Sequence, residues 1–212
     1  MITRDKNRCA VAFWSVANET RPSPERDRFV KALIDTVRAL DSSRLVTAAF
    51  DNVGYDKASG TFTGTDNIPA LLDVVAVNKY MGWYAPWPLA PEECVWDFAA
   101  GKPLIISEFG GEALYGQSGS ADVASSWSED YQEKLYRDNL AMMARIPNLA
   151  GTRPLYALHP QRHTASGRII PHNGRIAAIR KLIVGENIPI GSQQTIRIEE
   201  PSPFRIVVSA LE

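Results

Sequence analysis

The sequence predicts an α/β fold built on a parallel sheet, and three observations lead there. Short apolar runs alternate with stretches of helical periodicity along most of the chain. The runs are apolar at successive positions, the pattern of strands covered on both faces. Polar side chains collect where the runs stop: Asn18 and Glu19, Asn78 and Tyr80, and Glu108. Strand and helix in alternation require crossover connections, and those join parallel strands.

The first strand is expected over residues 9–17, CAVAFWSVA. Ser23, Pro24 and Glu25 then read as a helix start, with a hydroxyl cap, proline in the first turn and an acid near the positive helix end. Phe29, Val30, Leu33, Ile34, Val37 and Leu40 recur at helical spacing behind it. A second strand covers residues 45–50, and a long polar loop follows over 51–67. A short helical piece holds Leu71 and Leu72, and a third strand runs over 74–78 into NKYMGWYAPWP. Residues 91–100 are expected to be helical, closed by Gly101 and Pro103. The fourth strand is 104–107. The segment SWSEDYQEKLYRDNLAMMARI is the clearest helix, capped by Ser128. A fifth strand is expected over 152–158, weakened by Pro154. Asn173-Gly174 is a turn and 175–184 a last helix. The end, TIRIEEPSPFRIVV, alternates like two edge strands. The domain reading is thus residues 1–186 as one α/β body and 187–212 as a β tail.

Composition excludes several classes. The 212 residues carry a formal net charge of −1, which gives no attraction for nucleic acid or a membrane surface. The densest basic stretch, Arg175 to Lys181, alternates with Ile and Ala and reads as a solvated helix face. Cys9 and Cys94 have no metal-like spacing and make no disulfide framework. His159 and His163 are four apart, but Pro160 breaks the helix that would set them on one face. No metal and no cofactor are expected. MITRDKNR has no apolar segment, so a cytoplasmic location is the expectation.

Five parallel strands fit an open doubly wound sheet or a barrel. No glycine-rich phosphate loop follows any strand, so nothing supports a nucleotide site. Polar residues at strand ends fit the active face of a (β/α) barrel. A lone strand-end glutamate is an ordinary turn residue. Two of them, Glu19 and Glu108, meet the requirement of glycoside hydrolysis, which needs one carboxyl protonated and one ionised. Trp83, Tyr84 and Trp87 offer flat apolar faces suited to the C–H faces of a sugar, although Trp87 serves equally well as a cover for its loop.

Four motifs in order give a resemblance. RDKN with FWSVANE, NKYMGWY, LIISEFGG and WSEDYQ are similar to the fourth, sixth and seventh strands, and the following helix, of the family 2 glycoside hydrolase barrel. The β-glucuronidase-like members are the nearest pattern, with β-galactosidases also in the family. The resemblance runs from about Arg4 to about Val184 and implies a partial (β/α)8 TIM barrel, about strands 4 to 8, the carboxyl-terminal half. It implies Glu19 as acid/base and Glu108 as nucleophile of a retaining exo-glycosidase, with carboxyl groups about 5 Å apart. Asn18 would hydrogen-bond the sugar 2-hydroxyl, Tyr80 would steady the nucleophile, and Asn78, Trp83 and Tyr84 would complete the sugar site.

Two stretches depart from the family pattern. Leu155 stands in RPLYALHPQRH where a tryptophan is expected, and TASGRII lacks the Asn-x-Lys pair that grips a uronic carboxylate. Arg162 and Arg168 are the cations nearby. The expected substrate is a β-glucuronide or a β-galactoside. The alternative is a non-catalytic carbohydrate-binding remnant or inactive fragment. Unpaired barrel edges make self-association an expectation.

Overall fold

The computed structural model describes residues 1–154, apart from 99–100, 115–116 and 125–126. The expected turn at Asn173, the last helix, the β tail, and Leu155, His159, Arg162, His163 and Arg168 lie outside the described residues. The chain comprises two compact units. The first is Met1–Lys79, Cys94–Ser107 and Ile146–Thr152; the second includes Tyr80–Glu93 and Glu108–Arg145.

The elements in chain order are α1 (Ile2–Asp5), β1 (Phe13–Asn18), α2 (Pro24–Leu40), β2 (Leu45–Phe50), β3 (Gly54–Asp56), β4 (Thr61–Thr63), β5 (Val74–Asn78), β6 (Val95–Trp96), β7 (Leu104–Phe109), α3 (Glu129–Met143) and β8 (Leu149–Pro154). Five strands form one sheet in the order β1-β2-β5-β7-β8. β1 pairs parallel with β2, and β2 parallel with β5. Each later strand of this sheet is added on the same side of the one before. A doubly wound sheet reverses direction at a switch point, whereas a barrel sheet does not. The order therefore decides between the two expectations: this is part of a (β/α)8 barrel, with an open sheet among the described residues.

In the first unit α2 forms as its sequence dictates. The Ser23 hydroxyl accepts from the Arg26 N–H at 3.1 Å, and Pro24 opens the helix. Val30, Ile34 and Val37 are its buried residues, while Phe29 and Leu40 stay exposed. The buried stripe is thus narrower than the periodicity implies. Full burial of a side chain such as Ile34 stabilises by roughly 2 kcal/mol. The helix ends at Asp41, whose N–H bonds the Val37 carbonyl. Asp41 then accepts from the Trp14 indole at 2.9 Å and from Arg44 at 2.9 Å. Arg44 also donates to the carbonyls of Val11 and Arg8, tying the lead-in to β1 against the start of β2.

Four expectations need correction. The first strand begins at Phe13, not residue 9, and one of its faces is open: Phe13 is 40% exposed and its β2 neighbour Leu45 is 47% exposed. The polar loop 51–67 contains a hairpin, β3 antiparallel to β4, closed around Asp56, which accepts from the N–H groups of Ala58 and Ser59. The expected helix over 91–100 is a 3-10 turn, Pro91–Glu93, followed by β6, which pairs parallel with β4. Trp96 stacks on Phe62 at 5.0 Å and 19°, and that aromatic pairing outweighs the weak helical pattern. The fifth strand is shifted too: β8 starts at Leu149.

In the second unit α3 is capped by Ser128, whose hydroxyl accepts from the Tyr131 N–H. Leu135, Tyr136, Met142 and Met143 form its buried face, and Phe109 packs edge-on against Tyr136 at 5.6 Å.

Candidate active site

The strand ends of the first unit gather Asn18, Glu19, Asn78 and Ser107. β1 changes register between Ser15 and Asn18, a bulge that re-aims its last residues. Glu19 follows with φ of 50°, in the left-handed region that glutamate seldom occupies. Its N–H is held by the Ala49 carbonyl at 3.0 Å. Such a conformation persists only where the surroundings enforce it, and it is common at functional sites. Both Asn18 and Glu19 are exposed.

Asn78, the last residue of β5, is 3% exposed. Its amide nitrogen donates to Glu19 Oε1 at 2.6 Å and to Asn18 Oδ1 at 3.2 Å. Its amide oxygen accepts from the Ser107 hydroxyl at 2.6 Å. Lys79 has its ammonium on the Val53 carbonyl at 2.6 Å and 5.8 Å from the centroid of the Phe62 ring. Burial pushes Lys79 below its ordinary range, and the charge of Asp51 opposes that.

The second unit holds Tyr80 and Glu108. The Tyr80 hydroxyl donates to Glu108 Oε2 at 2.7 Å, a short bond of the charge-assisted kind. Tyr80 packs edge-on against Tyr84, with centroids 5.1 Å apart. Tyr84 is 79% exposed, so its ring presents a free face. Trp83 is partly covered instead: Trp127 lies edge-on at 5.2 Å, and Gly111 is so close that a Cβ there would come within 2.7 Å of the indole. The turn that carries these rings is fixed by three N–H groups, those of Trp83, Tyr84 and Ala85, converging on the Tyr80 carbonyl.

Polar side chains of α3 hold this region from behind. Asn139 donates to the Met81 carbonyl at 2.9 Å, Tyr131 to the Gly82 carbonyl, and Gln132 to the Gly111 carbonyl at 2.7 Å. Sequence reading missed these three and Ser107. A signal exists for two of them: Gln132 and Asn139 sit on the apolar face of α3, where a polar residue needs a built partner. Among the described residues no cluster of His, Cys, Asp and Glu is arranged to hold a metal ion.

The chain spans about one fifth of the length of the curated relatives it matches. One is a β-glucuronidase from Sus scrofa, 37% identical over 144 residues, which is 64% of this chain and 20% of that protein. Among solved structures, a β-glucuronidase from an uncultured Clostridium sp. is similar at 27% identity with a TM-score of 0.56, covering 71% of this chain and 26% of that one. A β-galacturonidase from Eisenbergiella tayi, bound to galacturonate, shares the fold at 23% identity and a TM-score of 0.56, covering 73% of this chain and 27% of that one. The model of the glycosyl hydrolases family 2 TIM barrel domain matches residues 1–148. With the strand order and the strand-end glutamates already pointing the same way, the chain belongs to glycosyl hydrolase family 2, to its TIM barrel domain.

Proposed function

We propose that this chain carries the reacting carboxylates of a retaining exo-β-glycosidase, with a β-linked hexuronide such as a β-glucuronide as substrate. The observation that carries the reading is the Tyr80 hydroxyl on Glu108 Oε2 at 2.7 Å. A phenol donor steadies an ionised carboxylate at a strand end, which is the state a nucleophile needs. In the first step Glu108 attacks the anomeric carbon and forms an ester to it. Glu19 gives its proton to the glycosidic oxygen as that bond breaks. In the second step Glu19 takes a proton from water, water attacks the anomeric carbon, and the ester bond to Glu108 breaks. Two inversions give retention. The exposure of Glu19 lets water reach it between the steps.

In this reading Asn18, exposed beside Glu19, bonds a sugar hydroxyl, and Tyr84 gives its open ring to the sugar's apolar face. The relatives named as glucuronidases favour a uronide over a β-galactoside. The test is a panel of aryl β-glycosides, run on the chain alone and on the chain joined to the first barrel strands of a family 2 relative. Glu108→Gln should abolish turnover. Glu19→Gln should slow aryl glycosides with poor leaving groups by about 10²–10⁴-fold and activated ones far less. Cleavage confined to α-linked substrates would refute the reading.

A second reading is a chain that binds carbohydrate on the open Tyr84 ring without turning it over. Sugar binding by the chain alone, unchanged in Glu108→Gln and without hydrolysis, would select that alternative.

A further inference from the structure

We infer that Asn78 and Ser107 form a positioning pair for Glu19, and that Asn78 is not itself a sugar ligand; the inference rests on the reading of Glu19 as acid/base. Asn78 has one acceptor oxygen and two N–H donors. All three are engaged within the fold: the oxygen by the Ser107 hydroxyl at 2.6 Å, the donors by Glu19 at 2.6 Å and Asn18 at 3.2 Å. At 3% exposure the side chain has no open face for a hydroxyl of substrate.

The chemistry of the partners fixes which way the amide points. In its ionised form, the one that acts as base, Glu19 accepts and cannot donate, so the nitrogen faces it. A serine hydroxyl can donate, and here it meets the oxygen. Ser107 thereby opposes the flipped amide, which would turn an oxygen toward the Glu19 carboxylate. Removing the hydroxyl leaves a buried carbonyl oxygen without this donor and loosens the amide. The same Nδ2 group also engages Asn18 Oδ1, so Asn18 keeps its own amide nitrogen for a ligand. Ser107 directly precedes Glu108 in β7. One strand end therefore supplies both a proposed nucleophile and the group that orients the partner of the proposed acid/base.

The test is amide-detected NMR of the full chain, which needs no turnover. In the wild type, the Asn78 side-chain N–H resonances should carry the downfield shift of a proton bonded to a carboxylate, and Glu19→Gln should reduce that shift. Ser107→Ala should also reduce the shift and speed exchange of these protons with water, and Ser107→Thr should restore both. Asn78 resonances that ignore Glu19→Gln, or that are the same in Ser107→Ala, would overturn the inference. Kinetics supply a second arm in the barrel-completed protein. Ser107→Ala should lower kcat about tenfold for a poor leaving group, change an activated substrate little, and leave KM unchanged. An equal loss for both substrates would mean a general structural effect and would contradict a positioning role. Absence of wild-type turnover would instead count against the proposed function, with the NMR arm still deciding this one.

Discussion

Glu108 and Glu19 differ in what surrounds them, and that difference is chemical. Glu108 has a phenol on Oε2, whereas Glu19 has a primary amide on Oε1 and an unusual backbone. Tyr80→Phe removes the phenol donor to Glu108 Oε2. A hydrogen bond to a charged group contributes about 1.5–3 kcal/mol, so kcat should fall roughly 10- to 100-fold with KM nearly constant. An unchanged kcat would remove Tyr80 from the mechanism. Away from the site, the Ser43 hydroxyl, the Trp14 indole and the Ser43 N–H together hold the Asp41 carboxyl well below the usual carboxylate range. A carboxyl depressed on folding stabilises the fold fully above its unfolded pKa and loses that contribution as pH falls toward its folded value. Tryptophan fluorescence during acid unfolding should therefore show wild-type stability declining below about pH 4, and a flatter acid limb in Asp41→Asn. Identical acid limbs would show that Asp41 is not a linked group. Both glutamates and Tyr80 stand out in the sequence as candidates because each lies at or just beyond the end of an apolar run. Ser107 does not, since a serine at the end of a strand gives no pattern until its partner is seen.

The segments flanking β7 depend on glycine for reasons that differ between positions. Gly110 has φ of 125°, and the Tyr136 hydroxyl occupies the place a Cβ would take. Gly101 has φ of 76° with open space around it. Gly101→Ala should then cost only about 1 kcal/mol of backbone strain. Gly110→Ala adds a clash with a buried ring and should cost about 2–4 kcal/mol in urea unfolding. Equal costs would show that Tyr136 moves aside freely. α2 and α3 were read from caps and apolar spacing because both signals are local: Ser23 and Ser128 bond N–H groups three residues on. The helix expected over 91–100 failed because its residues answer to a distant partner. Phe62 decides the conformation of Trp96, and no window around Trp96 contains Phe62. The β3–β4 hairpin escaped notice for a related reason, since its three-residue strands are too short for alternation to stand out.

Among the described residues the five-stranded sheet has its strands in chain order, and this separates a barrel from a doubly wound fold more firmly than composition does. Among the described residues β1 is an end of that sheet, and Phe13 and Leu45 are exposed beside it. An uncovered edge and an apolar pair invite a further strand. We predict concentration-dependent self-association of the chain in sizing experiments, reduced in Phe13→Lys with Leu45→Lys. A monomer at all concentrations with family-level turnover would contradict this. If Glu108 is the nucleophile of a retaining β-glycosidase, its sugar ester can be trapped and located. The barrel-completed protein is incubated with a 2-deoxy-2-fluoro β-glucuronyl fluoride, digested, and its peptides are mapped by mass. One added sugar is expected on the peptide containing Glu108, absent in Glu108→Gln. A sugar attached to Glu19, or turnover of the reagent with no labelled peptide, would contradict it.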